Sequence, residues 1–265
     1  MGTLACFHAH PDDESIATGG TIARAVAEGH RVILVFATNG DHGEVPSDLA
    51  PGETVADRRK KEAADSAQVL GISEVVWLGY KDSGMTGWAQ NSDPEAFLNA
   101  DLEFAARTLA DVLVNENVDV LTIYDWHGGY GHPDHIMVHK VGVCAAEMAG
   151  TPRVFEATMN RDAMREGLAM ASEMGLDFGN DGFDPDDPAD DGNPMGLTAE
   201  ELTHGVDVSN YVEQKRASLA CHKSQITDAH MFDSIPDEYF VLAFGTEWFR
   251  LRGADGPVRD GWLFE

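Results

Sequence analysis

The run Arg31-Val32-Ile33-Leu34-Val35-Phe36-Ala37 is apolar at almost every position, and a strand with no polar face must be buried on both sides. Residues 3–9 read as a second buried strand. Between the two, Ala17 to Gly29 reads as a helix with small apolar residues on one face, closing at a glycine suited to a left-handed cap. Strand, helix and strand in so short a span form a βαβ unit, which requires a parallel sheet with helices on both faces. The pattern recurs as a helix over 55–70 closed by Gly71, a strand over 75–78, a helix over 94–115, a strand over 118–124, a helix ending near Met148 and a strand over 153–158. The expected fold is α/β, a Rossmann-like open, mostly parallel sheet with a C-terminal extension.

One domain over 1–265 is expected, its Rossmann-like core spanning 1–160. Residues 177–196, with Asp-Pro, Asp-Gly and Asn-Pro steps and many carboxylates, read as an acidic loop. The extension over 200–265 holds an expected strand at 201–208, a helix at 211–222 and an apolar segment at 240–251 whose type periodicity does not decide.

Forty-six acidic residues against eighteen basic ones give a formal charge of −28, which repels nucleic acid and anionic membranes within the screening length. Neither is an expected partner, and the excess reads as a solvated acidic surface of a kind suited to saline surroundings. The three cysteines, Cys6, Cys144 and Cys221, are odd in number and form no Cys-x-x-Cys pair, which fits a reducing cytosol better than a disulfide frame. The Leu4–Phe7 apolar run is too short for a signal segment, and no stretch reaches the length of a membrane span, so a cytoplasmic protein is expected.

In an open parallel sheet, ligands bind beyond the carboxyl ends of the strands. Polar residues gather there: His10, Asp12, Asp13 and Glu14 after the first strand; Thr38, Asn39, Asp41, His42 and Glu44 after the second; Lys81, Asp82 and Ser83 after the third; Asp125, His127, His132, Asp134 and His135 after the fourth. A dinucleotide site needs a glycine-rich first turn, whereas this one carries proline and three carboxylates. Phosphate is repelled and a cation attracted. A catalytic zinc site takes a few His and Asp ligands and leaves one position open. His10 and Asp13 offer two ligands from one loop, and His132-Pro133-Asp134-His135 offers two imidazoles, one for the metal and one to hydrogen-bond an oxyanion. Asp134 is placed to hold that second imidazole in its protonated form. Asp12 is left as the candidate general base.

The segments Ala9-His10-Pro11-Asp12-Asp13-Glu14 and His132-Pro133-Asp134-His135 resemble the PIG-L/LmbE family of zinc-dependent de-N-acetylases. The likeness extends to Thr38-Asn39-Gly40, Arg59-x-x-Glu62, Asp82-Ser83-Gly84-Met85, Gly129-Tyr130-Gly131 and Lys215 through Gln225. It implies that His10, Asp13 and His135 hold zinc, or ferrous iron, with Asp12 as base. His132, backed by Asp134, would stabilise the oxyanion or protonate the amine, and Tyr130 would contact the carbonyl oxygen. Arg59, Asp82 and Met85 would meet the substrate, an N-acyl aminosugar conjugate. Within the family the tail and the Asp82–Met85 segment look closest to the actinobacterial branch concerned with mycothiol. Its deacetylases favour a hydroxyl and its conjugate amidases a Lys at the position that Ala17 holds here, so Ala17 matches neither.

An amidase of a mycothiol-like thiol conjugate is the alternative enzyme, and a non-catalytic sugar-binding module that keeps the metal loop is the alternative of another class. Retention of Asp12 and His132 together favours catalysis, because binding alone needs neither base nor acid. His8 reads as a buried or supporting histidine, since a binuclear barrel would need further ligands after later strands. His127 fits a pocket wall or a loop tip, while His42, Glu44 and Asp125 divide evenly between substrate contact and solvated loop. Arg59 and Glu62 also suit a surface ion pair at helical spacing. His222 is expected to pack the tail over the site, and Glu14 to support the metal loop or the helix start.

Overall fold

The computed structural model describes residues 1–173, 183–225, 236–254 and 256–265. Its strands are β1 (Thr3–His8), β2 (Arg31–Thr38), β3 (Glu74–Tyr80), β4 (Val120–Tyr124), β5 (Arg153–Thr158), β6 (His204–Asp207), β7 (Thr246–Leu251) and β8 (Arg259–Asp260). They join in the order β3-β2-β1-β4-β5-β7-β6-β8. The first five run parallel, β7 is antiparallel to β5 and to β6, and β8 runs parallel to β6. This is the expected α/β sheet, mostly parallel. Its connections reverse direction between β1 and β4, and such a switch point opens a crevice at the carboxyl ends.

The helices are α1 (Asp13–Ala17), α2 (Gly19–Ala27), α3 (Val55–Leu70), α4 (Leu102–Asn115), α5 (Pro133–Ala149), α6 (Arg161–Glu173), α7 (Val212–Leu219) and α8 (Asp237–Phe244). Alternate residues of the doubly apolar strands feed two cores. Ala5, Phe7, Ile33 and Val35 pack with Leu109 of α4 and Val138 and Val141 of α5. Leu4, Cys6, Leu34 and Phe36 pack with Ile22 of α2 and Ala63 and Leu70 of α3. Each fully buried Phe or Leu contributes about 1.5–3 kcal/mol over its exposed state.

Three elements depart from expectation. The helix expected over 17–29 is two helices, since α1 starts at Asp13 and Thr18 leaves the helical conformation at φ −138°. In the helix expected over 94–115, the first part forms short 3-10 turns, and α4 begins only where the Asp101 side chain accepts the Phe104 N–H at 2.8 Å. No element is expected over 161–173, where helix α6 forms with only Ala171 of its residues buried. The segment of undecided type divides into α8 and β7. Residues 177–182 of the expected acidic loop lie outside the described residues.

The C-terminal strands are locked to the core by one buried ion pair. The Lys215 ammonium of α7 donates to Glu247 of β7 and, at 2.7 Å, to the Ile16 carbonyl. The Glu247 carboxylate also accepts the Gly20 and Thr21 N–H groups, each at 2.8 Å, at the positive end of α2. Glu247→Ala is expected to lower the unfolding free energy by about 3–5 kcal/mol, because it strands the buried ammonium. Urea denaturation measures this, and a loss below about 1 kcal/mol would contradict the assignment.

Candidate metal centre and active site

Beyond β1, Pro11 turns the chain and Asp12 adopts φ 115°, a conformation that costs a non-glycine residue about 1–3 kcal/mol. Two carboxylates at the start of α1 fold back to hold it there: Asp13 Oδ2 accepts the His10 N–H at 2.8 Å, and Glu14 Oε2 accepts the Asp12 N–H at 2.9 Å. Beyond β4, Asp125 closes a second turn by accepting the His127 N–H at 3.1 Å, the Gly129 N–H at 2.8 Å and the Thr158 hydroxyl. Gly128 lies in the left-handed region, and a Cβ there would sit 2.3 Å from the His135 Cβ, so only glycine lets this turn meet α5. His132 caps α5 and Pro133 occupies its first turn.

The two loops bring His10, His132 and His135 together, with ligand atoms within 4.8 Å of one another. Asp13 joins them, its Oδ2 3.4 Å from His10 Nδ1 and its Oδ1 3.4 Å from His135 Nε2. On the other side of His10, Nε2 stands 3.1 Å from Asp134 Oδ2 and 3.6 Å from Asp82 Oδ1. Burial works against charge on His10, yet Asp82, Asp13 and Asp134 together hold its pKa well above the usual histidine value. Burial likewise opposes ionisation of Asp13, but His135 and His10 keep it well below the usual carboxylate range. Three carboxylates thus enclose one imidazole, and the enclosure calls for positive charge.

The residues fit a divalent cation. His135 Nδ1 lies 3.1 Å from the Gly128 carbonyl, which can only accept, so Nδ1 carries the hydrogen and Nε2 presents its lone pair. That buried Nε2 makes no hydrogen bond among the described residues and lies 3.4 Å from Asp13 Oδ1, so the two are placed to share one cation. His132 has the opposite arrangement. Its Nδ1 accepts the Asp134 N–H at 3.1 Å, so Nε2 carries the hydrogen and is a donor.

Burial and the neighbouring His10 and His135 push His132 down to about 2, contrary to the expectation of a charged ring. Nor does the Asp134 carboxylate back His132: it accepts from Ser83 N at 2.8 Å and from the Ser83 hydroxyl, and meets His10. Asp12 is pushed up to about 6 by burial; Arg59 opposes this and Asp13 adds to it.

Arg59 faces inward. Its Nη1 donates to the Gly40 carbonyl at 2.9 Å and its Nη2 to the Pro11 carbonyl and, at 3.0 Å, to Asp12 Oδ2, so it braces the metal loop instead of standing free for substrate. Glu62 is buried too and accepts from Ser224 N at 2.9 Å and Ser224 Oγ at 2.6 Å, which replaces the surface ion pair with Arg59 by a clasp on the tail. His222 is fully buried and meets Glu14 Oε1 at 2.7 Å.

His8 is buried and satisfied, 2.8 Å from the Tyr124 hydroxyl and 2.9 Å from Thr18 Oγ1, and burial lowers it to about 4. His127 is buried beside Asp191 at 3.6 Å and is not at a loop tip. The His42 N–H reaches Asp82 Oδ2 at 3.4 Å, and the Glu44 N–H meets Gln225 Oε1 at 2.9 Å.

The Tyr130 ring lies 5.0 Å from that of His135. Burial, with Asp13 nearby, raises its hydroxyl pKa, so it remains a donor. The described part of the acidic loop braces Tyr130: Asp190 N donates to the Tyr130 carbonyl at 3.0 Å, while Asp190 Oδ2 accepts the Thr86 N–H at 2.9 Å on the loop that holds Met85. Sequence reasoning missed Ser83 as the partner of Asp134, and Glu247 with Lys215. Both depend on contacts between distant segments, although Ser83 and Lys215 stood inside the resembling motifs.

The PIG-L family model, described as GlcNAc-PI de-N-acetylase, matches residues 5–146. The chain belongs to the PIG-L family. A 1D-myo-inositol 2-acetamido-2-deoxy-alpha-D-glucopyranoside deacetylase from Saccharomonospora viridis is 38% identical, with 96% of this chain and 98% of the relative covered. A protein of the same name from Acidothermus cellulolyticus is 36% identical over 98% of this chain and 92% of its own length. Among solved structures, an N,N'-diacetylchitobiose deacetylase from Pyrococcus horikoshii matches with a TM-score of 0.60 at 23% identity, covering 94% of this chain and 83% of that one, and so shares the fold.

Because His10 is charged without metal, it must lose its proton to become a ligand. Calorimetric titration of metal-free protein with zinc near neutral pH, in buffers of different ionisation enthalpy, is expected to show release of about one proton, with affinity rising with pH. Affinity independent of pH, with no proton released, would contradict this protonation state.

Proposed function

We propose that this metal-dependent deacetylase removes the acetyl group from an N-acetylglucosaminyl small-molecule conjugate, with zinc held by His10, Asp13 and His135. The observation that carries the reading is the unlike presentation of the two α5 imidazoles: a free lone pair on His135 Nε2 and an N–H on His132 Nε2. A pure binding site has no use for that difference. The named activity of the Saccharomonospora and Acidothermus relatives supports the sugar assignment.

A bound divalent cation supplies Lewis-acid polarisation of the amide carbonyl and lowers the pKa of water toward about 7. Asp12, beside the cluster and close to neutrality in its proton affinity, takes the proton of the attacking water and passes it to the leaving nitrogen. Neutral His132 and the Tyr130 hydroxyl donate hydrogen bonds to the carbonyl oxygen as it gains charge. Asp134 contributes by fixing His10 and, through its backbone N–H, the His132 tautomer. Arg59 holds Asp12 in place. Asp82 and Met85, on the loop after β3, are the proposed sugar contacts. The free thiols Cys6, Cys144 and Cys221 fit work in the cytosol, and among the described residues no helix is long and apolar enough to cross a membrane.

Amine release from N-acetylglucosaminyl-inositol, assayed beside a thiol conjugate of the deacetylated sugar, tests the substrate. Release from the acetylated sugar alone is expected, and turnover of the thiol conjugate alone would replace the reading with an amidase. Asp12→Asn is expected to keep zinc and lose about 10²–10⁴-fold in kcat, whereas Asp13→Ala loses zinc. Asp12→Asn turning over at the wild-type rate would remove Asp12 as the base.

A further inference from the structure

Glu14 and His222 do nothing in the chemistry just described, yet they are among the most deeply buried polar groups in the protein, each without exposed surface. Glu14 receives four hydrogen bonds. Its Oε1 accepts from Ser15 Oγ at 2.9 Å, from the Ser66 hydroxyl of α3 and from His222 Nε2 at 2.7 Å, while its Oε2 accepts the Asp12 N–H at 2.9 Å. Ser218 of α7 closes the ring, 2.9 Å from Ser66 Oγ. His222 follows α7, and its other nitrogen has no partner among the described residues, so the bond to Glu14 is the polar contact that orients its ring.

We infer that His222 and Glu14 are positioning residues that hold the backbone of Asp12 in its left-handed conformation and so aim its carboxylate. The inference rests on the proposed role of Asp12 as base. Asp12 is held at three groups: its carbonyl accepts the Ser15 and Ile16 N–H groups as the first turn of α1 begins, Arg59 meets its side chain at 3.0 Å, and Glu14 accepts its N–H. At φ 115° the peptide before Asp12 relaxes toward ordinary φ unless that N–H is retained, and relaxation swings the carboxylate away from the cluster. Misplacement by about 1 Å is enough to lower turnover by about 10²-fold. Through this chain of contacts, the segment after α7 becomes part of the active-site frame.

A second clasp provides the control. Ser224, two residues beyond His222, is bonded to Glu62 and fastens the same segment without touching the Asp12 loop. His222→Ala is expected to reduce kcat by about 10- to 100-fold, with KM and zinc stoichiometry unchanged. His222→Gln, which returns an N–H donor near the Nε2 position, is expected to recover most of that loss, and Ser224→Ala to remain within about twofold of wild type. Equal losses in His222→Ala and Ser224→Ala, no recovery in His222→Gln, or an unchanged kcat in His222→Ala would overturn the inference.

Amide hydrogen exchange of Asp12 supplies a readout that needs no turnover. It should quicken in His222→Ala and stay slow in Ser224→Ala, and an unchanged rate in both would equally overturn it. If wild-type protein releases no amine from any acetylated sugar, the functional reading fails, while the exchange result still decides whether His222 and Glu14 hold Asp12.

Discussion

Three carboxylates converge on the His10 imidazole, and the rest of the site is arranged around the positive charge they require. Asp13 comes from the start of α1, Asp82 from the loop after β3 and Asp134 from the first turn of α5. Buried acidic groups this close repel one another unless a cation stands between them. The His10 ring stands between them and meets that need when protonated, and a divalent ion held by His10, Asp13 and His135 would meet it on the Asp13 side. Charge therefore explains why a cation suits this crevice, while the Asp12 conformation is held by the hydrogen bonds that Asp13 and Glu14 accept.

The C-terminal part of the chain completes the same device. Glu247 and Lys215 fix the start of α2, Glu62 holds Ser224, and His222 reaches Glu14 beneath the metal loop. Each of these contacts pairs a buried carboxylate with a donor from a distant segment. Removing one partner leaves a desolvated charge, so the contacts act as locks more than as net sources of stability. The acidic loop works from the other side, through Asp190, on the turn that carries Tyr130.

Much of this was legible in the residues themselves. The unbroken apolar runs at 3–9 and 31–37 announced a sheet covered on both faces, Gly71 marked the end of α3, and the gathering of His and Asp after the first and fourth strands located the site. What stayed hidden depended on long-range partners. Arg59 and Glu62 look like a surface pair by spacing, but burial turns one to Asp12 and the other to Ser224. At the start of α2, just past the break at Thr18, the backbone meets a carboxylate more than two hundred residues away. The roles of the two α5 imidazoles depend on which backbone group faces each Nδ1, a carbonyl at Gly128 or an N–H at Asp134, and no spacing rule reports that.

That backbone-imposed difference between His132 and His135 is the centre of the account, and X-ray absorption at the zinc edge tests it most directly. Zinc-loaded protein should show two imidazole ligands with oxygen donors completing the shell, and His132→Ala should leave the spectrum unchanged. Three imidazoles in the wild type, one of them lost in His132→Ala, would contradict the account.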